Sequence, residues 1–458
     1  MEVIMSLTSL FNDKKFLKTL FKLALPIALQ NLILSSLNLV DTIIIGGLGE
    51  YAIAGVGIAN QYFFLLNLVL FGVVSGSSIF TSQYYGDNDI PNIKRILGIS
   101  ILTSGTAAFI FFIVGFFFNN QIISIFSTDK VVISIGSEYL RIIVFSYVIT
   151  AITFSYSFTL RSIGQVKIPM LISVIALAIN TILNYLLVYG YFGMPKLGTN
   201  GSAIATLIAR TIEMILMITV VYSQKLIIAA KVREMLDLSI DFVKNFFKIT
   251  APVILNESMW SLGVSMYAIV YARMGTEVIA ATNISATIER ITWVIFMGLG
   301  NACAVMIGNK IGEGNEDEAY LLAKRFIVLC PILAILAGLI VFFTSGWTLS
   351  VYKVSPTVYN YSHNILMVFS IFLIAKVINY VSVIGIFRSG GDTKFCLILD
   401  TAGVWLIGVP LAFLGGLVLK LPIHFVYVLV YLEEVVKLMF CIPRVISKKW
   451  INNLTAKD

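Results

Sequence analysis

Asp41 carries the sharpest chemical signal in this chain of 458 residues. It sits in an otherwise apolar run, behind Asn31, Ser35 and Asn38 at helical spacings of four, three and three. Such a polar stripe must face a cavity or a partner helix. A carboxylate among apolar helices is costly as a bare charge, so it takes up a proton or holds a cation such as Na⁺. Asn180, Thr181 and Asn184 form a second polar group, with the two amides one turn apart. Amides at membrane depth bind an ion, orient a carboxylate, or simply tie helices together.

A second set lies in the later half. Glu257 shares a helical face with Ser261 and Ser265, with Trp260 beside it. Ser285 and Glu289 are one turn apart; Arg290 is adjacent and Trp293 follows. Lys376 precedes Asn379 and Tyr380, and Asp400 opens a later apolar run. Asp41, Asn180, Asn184 and Glu257 are the ion-coupling candidates, and no metal is expected beyond Na⁺ at Asp41 or Glu257. The candidates for a substrate cavity are Asn38, Tyr62, Trp260, Ser261, Glu289, Trp293, Lys376 and Asp400. Aromatics such as Phe63, Phe64, Trp260 and Trp293 can stack on a cation, although packing is the commoner use of such rings. Glu433 with Lys437, Arg210 with Glu213, and Glu138 with Arg141 read as scaffold pairs.

The elements that hold these groups must be membrane helices. Hydrophobic residues make up 59% and charged residues only 12%, well below the soluble norm. Neither Ile96–Phe118 nor Ile142–Leu160 contains a charge. Such runs match the roughly 20 residues needed to span hydrocarbon, and continuous apolarity excludes alternating barrel strands. Twelve spans are expected, with cores near 24–46, 53–82, 96–118, 132–158, 169–191, 201–222, 249–272, 278–308, 327–347, 359–386, 395–415 and 422–443. With both termini cytoplasmic, 22 of the 32 basic residues fall inside and six outside. The net charge of +8 is then a topology signal, and no basic soluble domain for nucleic acid is present. No cleavable signal is visible.

The chain repeats itself. Phe21-Lys22 and Pro26 recur as Phe247-Lys248 and Pro252; Gly49, Gly72 and Gly86 recur as Gly275, Gly298 and Gly312. Arg161-Ser162-x-Gly164-x-x-Lys167 recurs as Arg388-Ser389-x-Gly391-x-x-Lys394. Two homologous halves of six spans enter the membrane in the same direction, the usual build of a secondary transporter. The expected fold is an all-α integral membrane protein of twelve helices in two pseudo-symmetric six-helix bundles. Its parts are an N-lobe over 1–223, a cytoplasmic linker over 224–246 with room for a short interfacial helix, and a C-lobe over 247–458. The four cysteines have no metal-ligand spacing, and no glycine loop suited to ATP appears. No cofactor and no enzymatic activity are expected.

Several separated blocks resemble the multidrug and toxic compound extrusion (MATE) transporters: Leu23–Gln61, Gly76–Asp89 with its counterpart Ala304–Ala319, and Leu160–Ala209. They fall in the family's order and spacing, and the likeness runs from Phe16 to Lys448. It implies an antiporter that exports organic cations or drugs against Na⁺ or H⁺. Asp41 matches the first-span carboxylate of the DinF-like and archaeal branches, and Asn180 their fifth-span Asn. Asn184 stands where those branches place a second Asp. Glu257 matches the seventh-span Glu of the NorM-like and eukaryotic branches, whereas the NorM-like tenth-span Asp has no match near Lys376.

The expectation is therefore a cation-coupled, alternating-access exporter in the cytoplasmic membrane, monomeric, acting on small cationic, partly apolar compounds. One alternative is a lipid-linked oligosaccharide flippase of the same superfamily, whose cavity should be basic. Another is a polytopic membrane transferase, which would carry catalytic groups on a surface loop.

Overall fold

The computed structural model describes residues 13–455, the side chains of Leu37 and Asn38 excepted, and all regular elements among them are helical. In chain order they are α1 (Lys14–Gly46), α2 (Glu50–Gly86), α3 (Ile90–Phe117), α4 (Asn119–Phe126), α5 (Lys130–Ile143), α6 (Phe145–Ser162), α7 (Lys167–Tyr189), α8 (Gly198–Ser223), α9 (Val232–Met235), α10 (Ile240–Met274), α11 (Thr276–Gly312), α12 (Glu316–Ser350), α13 (Pro356–Phe387), α14 (Thr393–Val418) and α15 (Ile423–Ile446). Ten of these are long and apolar enough to cross a bilayer, and α5 with α6, bent by 47°, make an eleventh span. The twelfth, α15, has 24 residues, about 36 Å at helical rise. It carries Glu433, Glu434 and Lys437 within its apolar run. The twelve expected spans thus all fall on helices.

The helices end where the repeat places glycine. α2 and α11 each begin after a glycine at positive φ, Gly49 at 103° and Gly275 at 135°, a region closed to most side chains. Gly164 and Gly391, at 79° and 75°, make the same turn after the two Arg-Ser motifs. The bend between α5 and α6 has no proline. There Val144 packs into the space that Gly115 of α3 leaves open.

The chain forms two compact units, Leu29–Ile254 and Met1–Ala28 with Leu255–Asp458. Their boundaries lie inside α1 and α10. In the first unit, the opening half of α10 lies on α2: Gly72 faces Ile254, Gly76 faces Thr250, and the Phe246 and Phe80 rings stack. In the second unit, the opening half of α1 makes the equivalent contact. Gly298 of α11 faces Ala24 and Ala28, Phe16 meets Phe326 edge-on, and Asp13 pairs with Arg325 at 2.7 Å. Small residues let membrane helices approach closely, where burial of apolar surface offers no net drive.

The core of the first unit includes Val56, Ala59, Tyr62, Leu66, Tyr139 and Tyr147. That of the second includes Tyr267, Val270, Val404 and Ala412. Large apolar side chains such as Phe117, Phe343, Trp347 and Leu406 are exposed outside these cores, as lipid contact requires.

The expected interfacial helix is one turn, α9. It is fixed to the base of α3: Lys94 pairs with Glu234 at 2.8 Å, Arg95 pairs with Asp237, and Gly98 receives the Met235 backbone. The C-terminal residues strap the second unit in a similar way. Trp450 is fully buried and donates to the Val445 carbonyl, and the Asn452 amides donate to the Gly390 carbonyl at 3.0 and 2.9 Å.

Candidate functional site

In the first unit, α1 presents Asp41 to α7. Asp41 is buried, and its Oδ1 accepts a hydrogen bond from Asn184 Nδ2 at 2.5 Å. Asn180, one turn earlier, is fully buried and donates instead to Thr206 Oγ1 of α8 at 3.0 Å. Of the two α7 amides named as ion-coupling candidates, Asn184 is the one that bonds Asp41 directly. The carbonyl oxygens of both Asn180 and Asn184 are buried and have no partner among the described residues. Tyr139 of α5 lies within electrostatic reach of Asp41 and beside Ser202 of α8. Arg210 also feels Asp41 but is committed to Glu213 at 2.9 Å, the scaffold pair expected. Tyr139, Ser202 and Thr206 complete the surroundings. Ser202 and Thr206 lie one turn apart on α8 and Tyr139 on α5; the i, i+4 spacing on α8 is the one signal that could have found them.

About three turns before Asp41 on α1, Gln30 anchors a second network. Its oxygen accepts from Arg161 Nε and Nη2 at 3.1 and 2.7 Å, and its amide donates to Ser157 and Ser173 at 3.3 and 3.1 Å. Ser173 passes the chain on to Glu213 at 2.9 Å. The Arg of the first repeated motif is therefore held on α1.

The second unit repeats this plan with more charge. Arg388, the repeat of Arg161, is buried and pairs with Glu257 of α10 at 2.7 Å. Asn256 donates to Asp400 of α14 at 3.1 Å, as Gln30 donates to Ser173. Lys437 of α15 lies 3.6 Å from Asp400, 3.6 Å from Glu433 and 3.5 Å from Glu434. The expected Glu433–Lys437 pair is in fact a four-membered cluster. Tyr267 donates to Glu433 at 2.7 Å, and Asn379 donates to Glu434 at 2.7 Å. Gly403 and Gly408 of α14 leave the room in which Lys437 and Glu433 lie. Three carboxylates around one ammonium leave net negative charge, which burial makes costly unless protons or cations share it.

Glu289 and Lys376 occupy a different part of this unit. The Lys376 ammonium lies 4.9 Å from the Trp293 ring centre, 5.5 Å from Tyr431 and 5.6 Å from Phe369. Tyr431 donates to Glu289 Oε2 at 3.4 Å, while Glu289 Oε1 is buried without a partner among the described residues. Tyr380 packs edge-on against Trp293.

Tyr62 is a core residue: it donates to the Phe111 carbonyl at 2.9 Å and packs against Phe111 and Tyr147. Ser261 is buried and its carbonyl accepts from Ser265, while Trp260 is exposed. The Asn38 side chain lies outside the described residues. Glu138 and Arg141 do not pair with each other; Asn200 donates to Glu138, and Arg141 lies over the Phe116 ring. Among the described residues, no group of three or more His, Cys, Asp or Glu is arranged to hold a metal ion.

These two units, with their repeated contacts, have relatives. The chain is 24% identical over 409 residues to a probable multidrug resistance protein NorM of Thermotoga maritima, covering 86% of this chain and 85% of that protein. It is 22% identical over 439 residues to an uncharacterized transporter, YisQ, of Bacillus subtilis, covering 96% of each. Among solved structures it resembles a MOP superfamily transporter from Pyrococcus furiosus, with a TM-score of 0.84, 17% identity and coverage of 94% and 96%. A MATE crystal structure in a bent conformation gives a TM-score of 0.86 at 17% identity, with the same coverage. The model of the MatE family matches residues 26–186 and 252–414, which are the two repeated halves. The chain therefore belongs to the MatE family of multi-pass membrane transporters.

Proposed function

We propose that the protein is a cation-coupled antiporter that exports small toxic compounds, organic cations and drugs among them, by alternating access. The proteins it resembles include several named for multidrug resistance. The observation that carries the coupling is the state of Asp41. It is a buried carboxylate with one amide donor, Asn184, and the side-chain oxygens of Asn184 and of Asn180 one turn away are buried without a partner among the described residues. A proton on Asp41 would satisfy an acceptor-rich pocket. A Na⁺ would do the same through oxygen donors. Either event removes the negative charge and changes the affinity for a cationic substrate, which is the linkage an antiporter needs. Glu257 is a weaker candidate, because Arg388 already neutralises it. The basic-residue bias supports a cytoplasmic-membrane protein with both termini and the 224–246 linker inside, and we read it as a monomer.

The test is efflux from proteoliposomes under Na⁺ and pH gradients imposed separately. One of the two gradients should drive export in the wild type. Asp41→Asn keeps the size and removes the titrating charge, so it should fold yet lose gradient-driven export. Unchanged gradient dependence in that variant would rule out the role of Asp41.

A further inference from the structure

We infer that the lysine-rich end of the second unit binds the phosphate headgroup of an anionic phospholipid. The two units finish equivalent helices differently. In the first, the base of α3 is covered by the α9 segment: Glu234 pairs with Lys94 at 2.8 Å, Asp237 pairs with Arg95, and the Met235 backbone lies on Gly98. At the spacing that relates Gly86 to Gly312, Gly98 corresponds to Lys324 of α12. Among the described residues no carboxylate pairs with Lys324. The chain after α15 runs instead to Gly390 and Gly391, and residues 447–455 include no Asp or Glu. That chain brings a further base: Lys448 and Lys324 each lie 4.7 Å from the centre of the Tyr320 ring. The nearby acids are already spent, Asp317 on Lys448 at 3.0 Å and Asp13 on Arg325 at 2.7 Å.

The opening half of α1 enlarges this surface. The Asp13–Arg325 pair and the Phe16–Phe326 contact set its start beside Lys324. Lys14, Lys15, Lys18 and Lys22 are all exposed, and their ammoniums have no ion pair among the described residues. Further along α1 the exposed stripe turns apolar at Phe21, Leu25 and Leu29. That change marks the edge of the hydrocarbon, and flexible lysine stems let the charges reach the headgroup layer. A soluble anion would use the lysines and leave the stripe bare. A phospholipid uses both: its acyl chains lie along the stripe, and its phosphate accepts from lysines of α1 and α12. The lipid thus supplies the negative charge that Glu234 and Asp237 supply in the first unit, and it ties α1 to α12.

The full chain in neutral detergent is titrated with short-chain phosphatidylglycerol, short-chain phosphatidylcholine and inorganic phosphate, and bound copies are counted by native mass spectrometry. Phosphatidylglycerol should be retained in preference to the other two. Lys18→Gln and Lys324→Gln should each weaken it about fivefold, roughly the share of one lysine at an anionic surface. Neither should change phosphatidylcholine binding or melting in phosphatidylcholine nanodiscs, which separates a lost site from a lost fold. Lys167→Gln and Lys394→Gln remove exposed lysines elsewhere and should leave phosphatidylglycerol affinity at the wild-type value. Equal retention of the two lipids, equal losses from all four substitutions, or displacement of phosphatidylglycerol by inorganic phosphate would overturn the inference. Export is not measured, so the result is independent of the Asp41 reading.

Discussion

Glu257 shows how a residue's meaning changes once its partner is known. By spacing it is a candidate for ion coupling; by geometry it is the counter-ion of a buried guanidinium, with a 2.7 Å contact and Arg388 only 3% exposed. Removing one member of such a pair strands the other charge. Glu257→Gln should therefore destabilise the protein by about 3 kcal/mol, and a second change, Arg388→Gln, should restore most of that loss. Glu433→Gln should cost much less, because Lys437 keeps Asp400 and Glu434 within 3.6 Å. Thermal unfolding in lipid measures all three. Equal losses from Glu257→Gln and Glu433→Gln would show that Arg388 finds another counter-ion. Efflux in the same variants should fall further for Glu257→Gln than for Glu433→Gln. At this scale the polar residues were legible but their partners were not. The α7 spacing puts Asn180 and Asn184 on one face, and only the rotation of α7 against α1 decides that Asn184 takes Asp41. Nothing local marks Glu257 and Arg388 as neighbours, since the chain between them is more than a hundred residues long.

At the scale of the element, the paired glycines were visible as a repeat, while their purpose appears only in packing. A Cβ on Gly298 would lie 2.6 Å from the Ala24 carbonyl oxygen and 2.9 Å from the Ala28 Cβ. Neither atom can move without moving α1. Gly298→Ala should thus cost about 1–3 kcal/mol through overpacking. Gly57 is the contrast within α2, with nothing inside 4 Å of the added atom. There Gly→Ala should be neutral or stabilise slightly, by up to about 1 kcal/mol, because alanine is the better helix former. Chemical denaturation of the two variants beside the wild type checks the pair, and a harmless Gly298→Ala would refute the close approach. The spans themselves were readable because hydropathy reports directly on lipid. Two features escaped that signal. At the 47° bend between α5 and α6, Val144 fills the space over Gly115 of another helix, and α15 carries a charged cluster paired by its neighbours.

At the scale of the molecule, the repeat and the packing divide the chain differently. The repeat suggests a cut between the sixth and seventh spans. The compact units instead break at Ala28 and at Ile254, within α1 and α10. Each unit is completed by a half-helix that belongs, in sequence, to the other repeat. The contact is itself repeated: Ile254 against Gly72 in one unit corresponds to Ala28 against Gly298 in the other. Neither half of the chain therefore holds a whole unit. Cutting after Leu238 leaves α9 with the base of α3, where Glu234 pairs with Lys94. It also gives two fragments with uncovered helix faces. Fragment 1–238 lacks the residues that cover Gly72, Gly76 and Phe80, and fragment 239–458 lacks those that cover Gly298 and Phe326. Backbone and small-residue faces left without their partner helix lose the packing that substitutes for a hydrophobic drive in lipid. Each fragment expressed alone should be degraded by limited proteolysis and should show no cooperative melting. The two co-expressed should co-purify through a tag on either one, and should recover export if the break is the only lesion. A single fragment that resists proteolysis and melts cooperatively would mean that the exchanged half-helices contribute little to either unit, and that the repeat alone defines the folding units.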